Sequence, residues 1–478
     1  MYTRSAQRWV LALASVASFM VALDALVVST ALSTIRTDLN ASISQLEWTV
    51  NAYILSFAVL IMPATALGDR LGRRRAFAAG VTSFAGASAI CALAPGVDWL
   101  IAGRAVQGVG AALVMPAALA LLSGAVPPQR RAWAMGIFSS ITGFAVLCGP
   151  LLGGAIVQGI SWPWIFWLNL PIAAFLIPAA RARITESYGP ARSLDVRGLP
   201  LVTAGAFGLV WGLVRGNSAG WASTEVKSAL ALGALLTVAF VVCELRVSEP
   251  MLPLRLFCSR GFSAGNAAAF FWSAALLGTV FFISQFLQTA LGYGPLGAGL
   301  LLMPWGATTF VVPQFAGRLI KRFGGRSLIT GGLALQAACT AWIALLAGSG
   351  VGYAPMIAPL TLAGTGFAIA IPAIQNAVMG SVPPEHIGRA SGTLNTMRQL
   401  GSAFGVAIAA AVFASTGSYA SPQAFTDGFA PAMGTCAGLA LLGALAGLAL
   451  PRARMDAGSG SAVGQIQLGQ VGQLHTRR

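Results

Sequence analysis

Gly68-Asp69-Arg70-Leu71-Gly72-Arg73 closes one long apolar run of the chain, and Gly317-Arg318-Leu319-Ile320-Lys321-Arg322-Phe323-Gly324 closes another in its second half. A second echo accompanies the first. Val126-Pro127-Pro128-Gln129 and Val382-Pro383-Pro384-Glu385 each precede a long apolar run. Pairing Asp69 with Lys321 gives an offset of 252 residues, and the Val-Pro-Pro pair gives 256. Two nearly equal offsets describe two like halves with material inserted between them. Parallel repeats about an axis along the membrane normal suit a transporter whose site lies near the midplane of the bilayer.

The surroundings of these motifs place them in a membrane protein. Of 478 residues, 56% are hydrophobic and 9% charged, whereas a soluble domain carries about a quarter charged residues. So apolar a chain cannot cover its surface with polar groups, and much of that surface must face lipid. A bilayer core takes about 20 apolar residues per helix. Twelve clear runs meet that need, at 9–35, 47–67, 76–94, 98–122, 132–158, 162–179, 263–290, 297–316, 326–347, 354–379, 388–415 and 430–450. Two weaker runs, 198–214 and 226–244, lie between the sixth and seventh. The first run follows Arg4 and Arg8 and is too long for the core of a signal peptide, so it reads as a retained helix. The expected organisation is a six-helix half at 1–180, an inserted two-helix linker at 181–262, a second six-helix half at 263–450 and a disordered cytoplasmic tail at 451–478.

Loop charges orient the chain. With the N-terminus inside, 24 of the 29 basic residues fall in inside segments, while Arg36, Arg215 and Lys227 fall outside and Arg104 and Arg398 lie within spans. That bias supports an even number of crossings with both termini cytoplasmic. It also accounts for the net charge of +16 without nucleic acid. The six cysteines are scattered, five of them in apolar runs, and the two histidines, His386 and His475, lie in a loop and a tail. No metal site is expected from them. There are no paired catalytic carboxylates, no Ser/His/Asp set and no phosphate-binding loop, so neither an enzyme nor direct use of ATP is expected.

An ionisable group at the centre of a membrane helix costs about 2.5–3.5 kcal/mol. Three survive deep in spans, Asp24, Arg104 and Arg398, and Asp24 is the only acid well inside one. Asp24 and Arg104 lie at similar depths, so an ion pair is geometrically possible. Either it is a structural pair, or Asp24 takes up and releases a proton. Arg104, Gln107, Gly108, Ala111 and Met115 share one helix face, as do Ser391, Asn395, Arg398 and Ser402. Such stripes must face the bundle interior or water. Phe281, Phe282, Gln285 and Gln288 mix aromatic surface with amides, a mixture that suits an apolar ligand. Ordinary packing with interhelical hydrogen bonds explains the same residues.

At these residues the chain resembles the major facilitator superfamily, and within it the fourteen-helix drug:proton antiporters. Leu23-Asp24-Ala25-Leu26-Val27-Val28-Ser29-Thr30-Ala31-Leu32 is similar to the first-helix signature. Thr65 to Arg74 is similar to the loop motif after the second helix, with Thr65 where Gly is usual. Leu100, Arg104, Gln107, Gly108 and Gly110 resemble the fourth-helix motif, and Gly136, Gly149, Pro150, Gly153 and Gly154 resemble the fifth-helix antiporter motif, with Ala145 in place of one Gly. Trp162-Pro163-Trp164-Ile165-Phe166 and Asn169-Leu170-Pro171 resemble the opening of the sixth helix, with Pro163 where Arg is common.

The resemblance implies an all-α major facilitator fold of about fourteen transmembrane helices in the cell membrane. It implies export of hydrophobic, neutral or monocationic drug-like or antibiotic molecules in exchange for protons. Asp24 and Arg104 would couple protons, Asp69, Arg70, Gly72 and Arg73 would latch one conformation, and Gln107, Met115, Phe281, Phe282, Gln285, Gln288, Asn395 and Arg398 would line the substrate cavity. The expected partners are a small-molecule substrate, protons and the lipid bilayer, with a monomer as the working unit. The proton gradient replaces a cofactor. A proton symporter or a lipid translocator on the same fold is the competing expectation, and the Gly/Pro run of the fifth helix disfavours the symporter.

Overall fold

Apolar backbone in lipid must satisfy its own hydrogen bonds, and this chain does so with helices. The computed structural model describes residues 4–189, 197–247, 250, 254–348, 352–383 and 387–451. Among them the elements are α1 Arg4–Asp38, α2 Ile43–Leu71, α3 Arg73–Ala92, α4 Val97–Ala125, α5 Pro128–Gly159, α6 Trp164–Trp167, α7 Asn169–Arg183, α8 Gly198–Ala219 and α9 Thr224–Arg246. The second half continues with α10 Arg260–Thr289, α11 Pro295–Leu301, α12 Met303–Val311, α13 Ala316–Phe323, α14 Gly325–Gly348, α15 Ile357–Met379, α16 Ile387–Thr416 and α17 Pro422–Leu448. No strand occurs among the described residues. The tail expected after Pro451 lies outside them, as do Pro384, Glu385 and His386, the surroundings of Gly136 and the side chain of Lys321.

Among the described residues eleven helices are long and apolar enough to cross a membrane, and the number reaches thirteen when each of two bent pairs counts as one crossing. One bend, of 54°, falls where Pro63 enters α2 and removes a backbone donor. The other, of 44°, separates α11 from α12, where Pro304 opens the second piece of the run read as continuous from 297 to 316. The sixth run likewise breaks into α6 and α7. The weaker pair forms two full helices of 22 and 23 residues, longer than its sequence limits indicated.

Packing follows the repeat. In the first half α1 lies against α4, α5 and α7, α2 against α4, and α3 against α4 and α7. In the second, α10 lies against α15, α16 and α17, and α14 against α15 and α17. The halves meet where α5 packs on α11 and α12, α1 on α10, and α2 on α16. The inserted pair α8–α9 stays beside this seam, with α8 touching both α2 and α16. Trp48 anchors it, its ring 5.5 Å from Phe207 and 5.6 Å from Trp211.

Candidate functional site

A buried polar cluster occupies the centre of the first half, built from five helices. Asp24 of α1 and Arg104 of α4 form an ion pair in which each side chain is only 1% exposed. Arg104 Nη1 donates to one Asp24 carboxyl oxygen, while Gln107 Nε2 (3.1 Å) and Asn169 Nδ2 (3.0 Å) donate to the other. Arg104 also donates to Gln107 Oε1 (2.8 Å) and, through Nε, to the Thr49 carbonyl of α2 (3.1 Å). Its guanidinium carbon lies 4.3 Å from the centre of the Tyr53 ring, a cation–π contact that strengthens out of water. Ser88 of α3 accepts from Gln107 (2.7 Å) and Asn169 (3.1 Å). A buried ion pair holds only when its remaining hydrogen-bonding capacity is filled, and here the surrounding amides and the Thr49 carbonyl fill much of it. A proton arriving on Asp24 competes with Arg104 or the amides for a carboxyl oxygen, so protonation and the present arrangement exclude each other in part.

The sequence points to Asp24, Arg104 and Gln107, and the structure brings these three together. It adds Asn169, Ser88, Thr49 and Tyr53. Asn169 carried a signal, an amide opening an apolar helix; the Thr49 carbonyl carried none. Gly108 lets α4 press onto α2, since a Cβ there would meet Ser56 Cβ at 2.7 Å, and Gly110 does the same toward the Phe84 backbone of α3. Met115, on the same stripe, is half-buried and apart from the ion pair.

The loop motif forms a second site at one end of the bundle. Gly72, at φ +110°, turns α2 directly into α3, a conformation glycine adopts freely. Asp69 accepts from Arg73 Nε at 2.8 Å, and its carbonyl accepts from Gly189 N at 3.0 Å. Glu186 accepts from Arg74 N (2.8 Å) and sits 3.6 Å and 3.7 Å from the Arg74 and Arg75 guanidinium groups. The segment after α7 therefore straps the α2–α3 turn. Arg70 stays exposed beside it.

The expected cavity residues of the second half are spent on packing and on the seam. Phe281, Phe282 and Gln285 are at most 2% exposed. Phe282 lies 5.0 Å from Phe413. Tyr419 donates to Gln285 Oε1. Gln288 joins the halves, accepting from Ser33 and donating to the Thr30 carbonyl of α1 at 3.1 Å. Asn395 donates to Ser391 O of its own helix. Arg398 lies over the Trp272 ring at 5.0 Å. On α5, Gly149 faces Leu26 and Gly153 faces Val27 and Thr30 of α1, while Gly154 faces the Pro295–Leu296 backbone of α11. Pro150 is enclosed in the same contact, opposite Gly299. Among the described residues no group of three or more His, Cys, Asp or Glu side chains is placed to hold a metal ion.

Two acids were missed, Glu47 and Glu244, the latter in the last turns of α9 and 2% exposed. Asp24 was read as the only acid well inside a span, yet Glu47, at the edge of its run in the sequence, sits in the second turn of α2 and is 2% exposed. The helix begins before the run becomes continuously apolar, because Ser42 caps it reciprocally with Gln45.

The sequence pattern of the Major Facilitator Superfamily matches residues 14–406. The tetracenomycin C resistance and export protein of Streptomyces glaucescens is 32% identical over 423 residues, covering 88% of this chain and 78% of that protein. Multidrug resistance protein Stp of Mycobacterium tuberculosis is 34% identical over 398 residues, covering 83% and 74%. The methylenomycin A resistance protein of Streptomyces coelicolor is 34% identical over 398 residues, covering 83% and 84%. Among solved structures, a POT family transporter in complex with 5-aminolevulinic acid superposes with a TM-score of 0.69 at 14% identity, covering 91% of this chain and 94% of its own. A D-xylose-proton symporter gives 0.66 at 14% identity, covering 93% and 98%. At these identities the structures speak for the fold alone.

Proposed function

The chain belongs to the Major Facilitator Superfamily, and from that premise we propose that it exports hydrophobic, neutral or monocationic drug-like or antibiotic molecules across the cytoplasmic membrane in exchange for protons. It is a multi-pass membrane transporter and not an enzyme. Its relatives are named for antibiotic resistance, multidrug resistance and export, which favours export over the symport and lipid readings. The observation that carries proton coupling is the Asp24–Arg104 pair, 1% exposed on both sides. So costly a pair, at the core of one half, suits a group that changes protonation during the cycle better than a packing element. When Asp24 takes a proton, Arg104 loses its counter-charge and keeps the Thr49 carbonyl, the Gln107 amide and the Tyr53 ring. When substrate binds from the inside, the pair re-forms and the proton departs to that side; when substrate has left to the outside, Asp24 takes the next proton from there.

The other roles follow from the same reading. Asp69, Arg70, Gly72 and Arg73 form the latch at the arginine-rich end, with Glu186 as its strap. Gly149 and Gly153 hold α5 on α1, and Pro150 and Gly154 bring it onto α11, the contact that opens and closes between the halves. Gln107, Met115, Phe281, Phe282, Gln285, Gln288, Asn395 and Arg398 come to line the cavity when the seam parts. Fourteen crossings are supported by the eleven helices, the two bent pairs and the 32-residue α5, and cytoplasmic termini by the charge bias of the loops. Residues 1–180 and 263–450 then form the halves and 181–262 the insertion. A monomer working on the proton gradient needs no further group.

Asp24→Asn tests the coupling. The amide fills the same space and cannot cycle a proton. In proteoliposomes with an imposed pH gradient, the variant should insert normally and lose gradient-driven efflux. Gradient-driven efflux at the wild-type rate would remove Asp24 from its role.

A further inference from the structure

A cavity of about 830 Å³ opens at the end of the bundle opposite the arginine-rich loops, bounded by Arg36, the α1–α2 turn, Val214 and Arg215 of α8, and the α16–α17 turn. Glu47 lines it. Its carboxyl is withdrawn from the surface, with the residue 2% exposed, and among the described residues Oε2 has no hydrogen-bonding partner. One helical turn deeper, Asn51 is fully buried with both side-chain amide atoms likewise without a partner. A buried polar atom left unpaired costs about 1–3 kcal/mol. Three on successive turns of one helix mark a place kept for something other than packing.

The charged and titratable groups around Glu47 leave it in that condition. Arg36, ending α1, lies over the Tyr419 ring, 4.3 Å from its centre. Arg215 of α8 is engaged with Glu225 of α9, its Nε 3.1 Å from the carboxylate. Asp98, opening α4, accepts from Gln45. The Tyr419 hydroxyl donates a hydrogen bond to Gln285 Oε1 of α10. Burial pushes the Tyr419 phenol up, with Arg36 opposing it. An ionised carboxylate without a compensating contact is poorly tolerated in such surroundings, whereas the neutral acid is accepted.

The position on α2 matters as much as the surroundings. Two residues on, the Thr49 carbonyl holds Arg104, and the ring of Tyr53 stacks on it. The same helix therefore carries a carboxyl group that faces the cavity and the groups that fix the partner of Asp24.

We propose that Glu47 is a second proton-binding group of this transporter, filled from the cavity at the end opposite the arginine-rich loops and separate from the Asp24–Arg104 pair. The carboxylate takes one proton from water in the cavity to give the neutral acid, and returns it in the reverse step; no other reactant is needed. Its role in transport rests on the proton-coupled reading above, whereas its titration does not.

The test uses the full-length protein in lipid vesicles and protons as the only probe. Infrared difference spectra across a pH step report protonated carboxyl groups directly. Glu47→Gln should remove one such band that Asp24→Asn retains. In the same vesicles, the substrate gradient sustained by an imposed pH difference should fall about tenfold per pH unit in Glu47→Gln, the effect of coupling one proton fewer. A wild-type infrared spectrum in Glu47→Gln, or an unchanged sustained gradient, overturns the proposal. Failure of proton coupling itself reads out separately, as unimpaired efflux in Asp24→Asn. Should Glu47→Gln fail to insert, Glu47→Asp replaces it: its shorter side chain should move the pH midpoint of the band, and an unmoved midpoint overturns the proposal.

Discussion

Gly154→Ala tests whether the contact between α5 and α11 is a gate. A Cβ built on Gly154 would stand 2.7 Å from the Pro295 carbonyl carbon and 2.8 Å from Leu296 Cα, with the Pro295 oxygen closer still. Carbon atoms pack comfortably at about 3.5–4.0 Å, so the helices must separate by most of an ångström. The obstacle is backbone and has no rotamer to change. Gly299 makes the reciprocal approach, its Cβ meeting the Pro150 carbonyl carbon at 2.8 Å and Leu151 Cα at 3.1 Å. Overpacking of this kind costs about 1–3 kcal/mol. The cost falls only on the state in which α5 and α11 touch, so the ratio of parted to closed molecules should rise about 5- to 150-fold. The assay places spin labels at Gly159→Cys, where a side chain meets nothing within 4 Å, and at Leu300→Cys, which is 51% exposed, in a background without the native cysteines. The label distance should lengthen in Gly154→Ala and stay put in Gly124→Ala, where a Cβ has open space. An unchanged distance distribution in Gly154→Ala would refute the gate and leave the glycines as plain packing residues.

The remaining expectations can be checked one by one. Reporter fusions at Gly220 and at the C-terminus should read outside and inside respectively; an inside reading at Gly220 would favour twelve crossings over fourteen. Glu186→Gln should loosen the strap on Arg74 and Arg75 and raise hydrogen exchange at residues 72–75 several-fold, with no change at the Asp24 cluster. Monocationic forms of a dye scaffold should be exported better than dicationic forms at matched lipophilicity in vesicles, because Arg104 and Arg398 deepen the charge deficit that a dication meets inside the bundle. Equal export of the dication would show that a further carboxyl reaches the cargo.

The apolar helices and the centre of the polar cluster were legible because each rests on a large energy. Twenty apolar residues in a row and an ionised group inside them leave few alternatives. What escaped rests on small energies. Ser88 costs little in a membrane helix, so nothing in its neighbourhood separates a site residue from a packing one, and the amide of Asn169 marked the opening of a helix without naming its partner. The Thr49 carbonyl is backbone and has no sequence signature. Glu47 was lost for a different reason: a hydropathy run shows where a helix becomes apolar and not where it starts, and the capping box at Ser42 sets the start. The Phe281 to Gln288 stretch fits a cavity wall and a packed seam equally well. Tyr419 decides the fate of Gln285, and it comes from a turn more than a hundred residues away.

These contacts converge on α1. Asp24 lies on the same rigid helix as Leu26, Val27 and Thr30, which receive Gly149 and Gly153 of α5. Thr30 and Ser33 meet Gln288 of the second half. From Asp24 to Thr30 the helix rises about 9 Å, less than two turns. A change in the Asp24–Arg104 pair that tilts or turns α1 therefore reaches the α5 contact and the α10 contact together, with no longer chain of side chains required. The glycines make this link stiff: with no side chain on α5 to yield, α1 cannot move against it without carrying it along. The polar cluster and the seam are in that sense one mechanical element, and substitutions at Gly149 or Gly153 should disturb coupling even though neither residue touches a proton.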